Sequence, residues 1–201
     1  MLDTSRFRPS EEQEKGSNVF VMKHTISVSD ILIAARLLCQ SRPDIILTHM
    51  YTEGELKRKI SVALPDRTLT LEPDASLEFR ITETGEPKPQ MWEDFFHVEY
   101  YRTHLAEWWY KQKVTGYVSY IETGVHEALF GTPAFSLAVM TDSDHLAATL
   151  KRWTEEVLVS LKQPGQGERF FFCSTDPATT SPEDMFLSPV WEQAFGSGNT
   201  R

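Results

Sequence analysis

Residues 27–41 (SVSDILIAARLLCQS) place apolar side chains at Ile31, Ile33, Ala34, Ala35, Leu37 and Leu38. That spacing predicts a helix, with Ser27 or Ser29 as its cap and Pro43 as its stop. Residues 44–50 predict a short strand and 53–59 a short polar helix. Residues 60–64 and 68–81 predict two strands joined at Pro65-Asp66, a hairpin signal. A loop rich in Gly, Pro and Glu follows over 82–89. Residues 95–101 predict a strand, 103–122 a helix stopped by Gly124, and 134–140 a further strand. The clearest helix covers 144–161, where Leu146, Leu150, Trp153, Val157 and Leu161 form one apolar stripe. Residues 169–173 predict the last strand. There is no internal repeat and no low-complexity segment.

The order is helix, three antiparallel-type strands, helix, strand, helix, strand. It predicts an α/β fold, a mixed central sheet flanked by helices on both faces. Residues 95–101, 103–122 and 134–140 should form a right-handed parallel βαβ unit. The expected core is Leu38, Ile46, Leu71, Leu77, Phe96, Val98, Val114, Leu137, Val139, Leu150, Trp153 and Phe171.

The 201 residues fit one domain, expected over 19–195, with polar tails at 1–18 and 196–201. A chain of this length buries a core without disulfides or a structural metal. Lys and Arg number 20 against 29 Asp and Glu, a net charge of -9. This excludes a generally basic nucleic-acid coat, because non-specific DNA affinity comes mostly from Lys and Arg on phosphates. It leaves room for a local basic groove or an acidic metal site. Cys39 and Cys173 stand outside any CxxC pair, which excludes a zinc knuckle or a redox motif. Two free thiols in a reducing compartment are expected. The N-terminus has no apolar h-region, and no apolar run approaches the roughly 18 residues that span a bilayer. A cytoplasmic protein without membrane contact is therefore expected, and its oligomeric state stays open.

Candidate chemistry lies on two strands. Along 68–81, Leu69, Leu71, Ala75, Leu77, Phe79 and Ile81 share one face, and Glu72, Asp74, Ser76, Glu78 and Arg80 the other. Along 95–101, Phe96, Val98 and Tyr100 oppose His97, Glu99 and Tyr101. If these strands pair, Asp74 and Glu99 approach one another. Two carboxylates held together suit Mg2+ or Mn2+, hard cations that take oxygen ligands. Lys111 or Lys113, on the next helix, would orient or deprotonate a water, with Lys113 preferred. The competing view is that this face is simply solvated. His97 is expected to be a hydrogen-bonding neighbour of Glu99 rather than a ligand. The six histidines show no HxH or HxxxH spacing, which speaks against zinc. Trp108 and Trp109 are expected to pack against the sheet, with base stacking the alternative. Phe170, Phe171 and Phe172 predict a buried strand, and Lys151, Arg152 and Lys162 a solvated face. Ser119 and Ser174 have no His/Asp context for nucleophilic hydrolysis.

A longer pattern runs through these elements. Leu71, Pro73, Asp74, Ala75, Leu77 and Phe79 form L-x-P-D-A-x-L-x-F, followed by FHVEYYRT (96–103), KVTGYVSY (113–120), Gly124 and FGTPAFSLAVMT (130–141). HTISVSDILIAARLL (24–38) precedes them and FLSPVW (186–191) closes them. This ordered series resembles the replication-relaxation family of plasmids and integrated mobile elements, over about residues 20–192. The resemblance implies a PD-(D/E)XK nuclease-like domain with an αβββαβ core, and roles in plasmid replication and DNA relaxation. It makes Asp74 the nuclease Asp and Glu99 the second acid. The family's usual continuation is E-x-D-R-G-T. Here it is Glu99-Tyr100-Tyr101-Arg102-Thr103-His104, so Arg102 is retained while Tyr101 replaces the acid and Thr103 the glycine. A phenol keeps its proton near neutral pH and makes a poor Mg2+ ligand. Lys113 would then stand in for the nuclease lysine. The winged-helix module that normally precedes the family domain is expected to be lost or supplied by a partner.

The resulting expectation is a non-catalytic, nuclease-like module contacting DNA or replication and mobilisation proteins. The alternative is a metal-dependent DNA nuclease or nickase. It would use Asp74 and Glu99 to bind Mg2+ or Mn2+, and Lys113 to activate the water.

Overall fold

In the computed structural model, residues 14–56, 60–83, 90–102, 105–196 and 199–200 are described. The chain opens with α1 (Glu14–Ser41), β1 (Ile45–Thr52) and the short α2 (Glu53–Leu56). Then come β2 (Ile60–Ala63), β3 (Thr68–Leu71), β4 (Ala75–Glu83) and β5 (Gln90–Tyr101). The second half runs α3 (Glu107–Glu122), α4 (Val125–Phe130), β6 (Ser136–Thr141), α5 (Asp144–Ser160) and β7 (Phe170–Ser174). A 3-10 turn (Pro164–Arg169) leads into β7, and α6 (Pro182–Leu187), β8 (Trp191–Gln193) and β9 (Asn199–Thr200) close the chain.

Among the described residues seven strands form one sheet in the order β1-β4-β5-β6-β7-β8-β9. β4 runs antiparallel to β1 and β5, whereas β5, β6 and β7 are parallel neighbours. The mixed α/β sheet expected from the element order is thus present. Among the described residues β2 and β3 pair only with each other, as a separate hairpin.

Each sheet face carries its own core. On one, Val114 and Tyr117 of α3 and Leu150, Trp153 and Val157 of α5 pack with Leu137, Val139, Phe170 and Phe172. On the other, Ile31, Ala35 and Leu38 of α1 and Met185 of α6 pack with Leu77, Phe79, Val98, Ala138 and Met140. Central strands covered on both faces carry near-continuous apolar runs, as SLAVMT in β6 does. α5 starts where the Ser143 side chain accepts a hydrogen bond from the Leu146 amide. Gly124 and Gly131, at φ of +68° and +74°, bracket α4 with left-handed backbone that suits glycine.

The structure corrects several sequence expectations. α1 begins at Glu14, so neither Ser27 nor Ser29 caps it, and part of the expected N-terminal tail is helix. The expected single strand over 68–81 is two strands in different sheets, parted at Glu72–Asp74. Of the expected 53–59 helix, residues 57–59 lie outside the described set, as do 84–89 of the 82–89 loop. Ile46 is exposed and Ile45 takes its place in the core. Phe96 and Phe171 are partly buried and pack against the α1 face. Trp108 and Trp109 do not pack against the sheet, being 63% and 44% exposed. Lys151 is not simply solvated: it donates to Glu192 and to the Gly196 carbonyl. Within the expected C-terminal tail, Asn199 and Thr200 pair with β8.

α3 rests on the β2–β3 hairpin through Gly116. A Cβ there would lie 2.5 Å from Leu69 Cδ2 and 2.9 Å from Leu71 Cδ2. Gly116→Val is therefore expected to destabilise the fold by about 1–3 kcal/mol, the usual cost of overpacking. Guanidinium denaturation of the variant beside the wild type measures it.

Candidate functional site

Asp74 occupies the step by which the chain enters β4. Its amide donates to the Val98 carbonyl at 3.0 Å, which docks it beside β5. Its Oδ2 accepts from the Tyr100 amide at 2.8 Å and from His24 Nε2 at 3.2 Å. His24 Nε2 also lies 3.1 Å from the Tyr100 carbonyl. Both neighbours are acceptors, so this nitrogen carries a proton. The hydrogen bond to Asp74 raises the His24 pKa, against the opposing effect of partial burial.

Glu99 points to the α3 side of the sheet and is 1% exposed. Lys113 and Tyr117, one turn apart on α3, reach it together. Lys113 Nζ sits 2.5 Å from Oε2, and the Tyr117 hydroxyl donates to Oε1 at 2.5 Å. Tyr101, two residues along β5, donates to Oε2 at 3.2 Å. Burial raises the Glu99 pKa, and the nearby Asp74 charge adds to this, while Lys113 and Tyr117 pull it down. Burial, then the Glu99 charge, pushes Tyr101 and Tyr117 well above the ordinary phenol range. Both phenols stay protonated and serve Glu99 as donors.

Lys113 is enclosed in turn. Its ammonium lies 3.4 Å from the Glu72 carbonyl, 5.9 Å from the Tyr101 ring centre and 5.4 Å from that of Trp109. Outside it opens a pocket of about 400 Å3 lined by Glu53, Leu69, Thr70, Glu72, Asp74, Trp109, Gln112 and Lys113. Glu99 lies behind Lys113 and does not line this pocket.

The three residues singled out in the sequence, Asp74, Glu99 and Lys113, are thus brought together. Lys111 is not: it pairs with Glu107 at 2.6 Å and Glu156 at 2.5 Å, away from the acids. The face that carries Glu99 is buried rather than solvated. The sequence pattern did not single out His24 or Tyr117. Tyr117 was findable, being four residues after Lys113 and so on the same side of α3.

His97, on the same face of β5, belongs to a separate buried chain of hydrogen bonds. His126 Nε2 lies 2.7 Å from the Ala134 carbonyl, which can only accept, so this nitrogen donates. His126 Nδ1 then accepts from the Tyr120 hydroxyl at 3.0 Å. The Tyr120 oxygen accepts from His97 Nε2 at 3.2 Å, and His97 Nδ1 accepts from the Ser76 hydroxyl. Every donor has an acceptor with both imidazoles neutral. Burial lowers the pKa of both histidines, that of His97 strongly. Ser76 and His97 are fully buried, so their contact is internal structure and no substrate reaches that hydroxyl.

Among the described residues, no three His, Cys, Asp or Glu side chains gather as a cluster that could hold a metal ion. No described helix is long and apolar enough to cross a membrane. Comparison with known proteins finds no family model, no curated protein and no solved structure that matches the chain.

Proposed function

We propose that this chain is a nuclease-like scaffold of the replication-relaxation kind that acts by binding rather than by cutting. The observation that carries this is the state of Glu99. Both of its oxygens are occupied, by Lys113 and Tyr101 on one and Tyr117 on the other, and water is excluded. Mg2+ wants near-octahedral oxygen ligands at about 2.0–2.1 Å. The donor set does not fit that demand, because the Lys113 ammonium occupies the cation position against Glu99 Oε2 and Tyr101 stands where a second acid would be. The former catalytic constellation then serves as a polar core joining α3 to β5. Helix α1, strands β1, β4 and β5, helix α3 and strand β6 run in the αβββαβ order, with the β2–β3 hairpin inserted, which supports the PD-(D/E)XK-like assignment. The net charge of -9 favours a basic partner protein of the replication or mobilisation machinery over bare DNA.

A second reading, a metal-dependent DNA nuclease or nickase, has one specific observation in its favour. Asp74 and Lys113 both line an open pocket that also carries Glu53 and Glu72. Conversion of supercoiled plasmid to nicked or linear form, in Mg2+ and then Mn2+, separates the two. No conversion by the folded wild-type protein is expected. Metal-dependent nicking that disappears in both Asp74→Asn and Glu99→Gln would replace the scaffold with the nuclease.

A further inference from the structure

α1 carries two apolar faces, and the fold uses one of them. Val28, Ile31, Ala35 and Leu38 are buried against the sheet. On the opposite side, Val19, Met22, Ile26, Ile33 and Leu37 fall within about 60° of arc at 100° per residue. Each of these five is between 42% and 58% exposed. The stripe spans five turns, about 27 Å at 1.5 Å per residue. A helix that is apolar on both sides belongs in an interior, and this one has half an interior missing.

The charges beside the stripe identify what covers it. Lys23 and Asp30, one heptad apart, stand on the same flank of the helix. Among the described residues neither forms an ion pair. When two copies of a helix pair antiparallel about a two-fold axis, equal flanks meet. Lys23 then faces the partner's Asp30, and Asp30 faces the partner's Lys23. The axis passes between Ile26 and Ser27, so Ile26 lies within one residue of level with the partner's Ile26, and Ile33 within one residue of level with the partner's Val19. A parallel pairing sets Asp30 at the level of Thr25 on the opposite flank, where there is no cation.

We infer that the outer stripe of α1 is the self-association surface of a two-fold dimer of this chain, with the two α1 helices antiparallel. The surface is distinct from the pocket beside Lys113, so the inference stands apart from the functional proposal above.

Sedimentation equilibrium of the whole chain tests it. The expected mass is twice the 23.0 kDa of one chain, over a concentration series. Ile26→Glu with Ile33→Glu, both at exposed positions, should give the single-chain mass with an unchanged circular dichroism spectrum. Lys23→Asp alone or Asp30→Lys alone sets like charges face to face and should weaken the dimer. The double variant Lys23→Asp/Asp30→Lys should restore it. A monomer at every concentration, including one that gains mass only with another protein, overturns the inference. So does a dimer that survives the two glutamates. Failure of the charge reversal to restore association overturns the antiparallel arrangement.

Discussion

Lys113→Met is expected to be the most damaging single substitution at the candidate site, costing about 3–5 kcal/mol, the usual penalty for removing one partner of a buried ion pair. Lys113 is 14% exposed and Glu99 2% at their side chains, so the pair is desolvated rather than superficial. Removing the ammonium leaves Glu99 as a buried anion near Asp74, held only by Tyr101 and Tyr117. The loss is a penalty on an orphaned charge, so removing the charge should remove much of it. Lys113→Met combined with Glu99→Gln should be more stable than Lys113→Met alone, with a coupling energy of about 1–3 kcal/mol. The pH dependence has a definite sign. A carboxyl whose pKa is raised on folding binds its proton more readily in the folded state. The single variant should therefore regain stability as pH falls through that raised value. Guanidinium midpoints of the wild type, both single variants and the double variant, each at two pH values, read out all of this. A Lys113→Met protein as stable as the wild type would show that Glu99 is not charged in the fold.

His97→Phe should cost about 1–3 kcal/mol, because the ring fills the volume but strands one buried hydroxyl and leaves a second bonded to His126 alone. Ser76 loses its acceptor and Tyr120 its donor. The wild type should also lose stability as pH falls below about 6.5. Both His97 and His126 have folded pKa values below their unfolded ones. In that window the unfolded chain takes up protons that the folded chain refuses. Each histidine contributes up to about 1.4 kcal/mol per pH unit. His24 works the other way: its raised pKa adds stability that is complete below about 6.5 and fades as pH rises through the folded value. Acid loss of stability should thus be shallower by one proton in His97→Phe. A slope unchanged by the substitution would show that His97 is protonated inside the fold.

The faces of β5 were legible in the sequence because apolar or aromatic and charged or imidazole side chains alternate from Phe96 to Tyr100, and that alternation set Glu99 on the side where α3 lands. The meeting of Asp74, Glu99 and Lys113 followed from it, given antiparallel pairing of the two strands. The break between β3 and β4 was not legible. Leu71 and Ala75 are an even number of residues apart, so the chain leaves one sheet and enters another without losing phase. A period-two pattern carries no trace of such a step. The early start of α1 was hidden for a related reason. Val19, Val21, Met22 and Ile26 are all exposed, so they give no inward stripe to mark this part of the helix. Trp108 and Trp109 misled by size. The face of α3 that meets the core is set by Tyr110, Val114 and Tyr117, and neither tryptophan shares that stripe. Ile46 is wrong by one residue, and on a strand one residue is the opposite face.

The sheet topology also fixes an order in time. β4 and β5 pair across one connection, and β2 and β3 across a tight turn, so these contacts close short loops. The pairing of β5 with β6 has to wait for α3 and α4, and that of β6 with β7 for α5. Loop-closure entropy makes these parallel pairings the slow events. Glu99 meets Lys113 across α3, the connection that closes the first of them, so the buried charge is neutralised only once that crossover forms. A transition state containing the β4–β5 pair alone would hold Glu99 beside Asp74 without its cation. Substitution at Lys113 should therefore act on the unfolding rate more than on the folding rate.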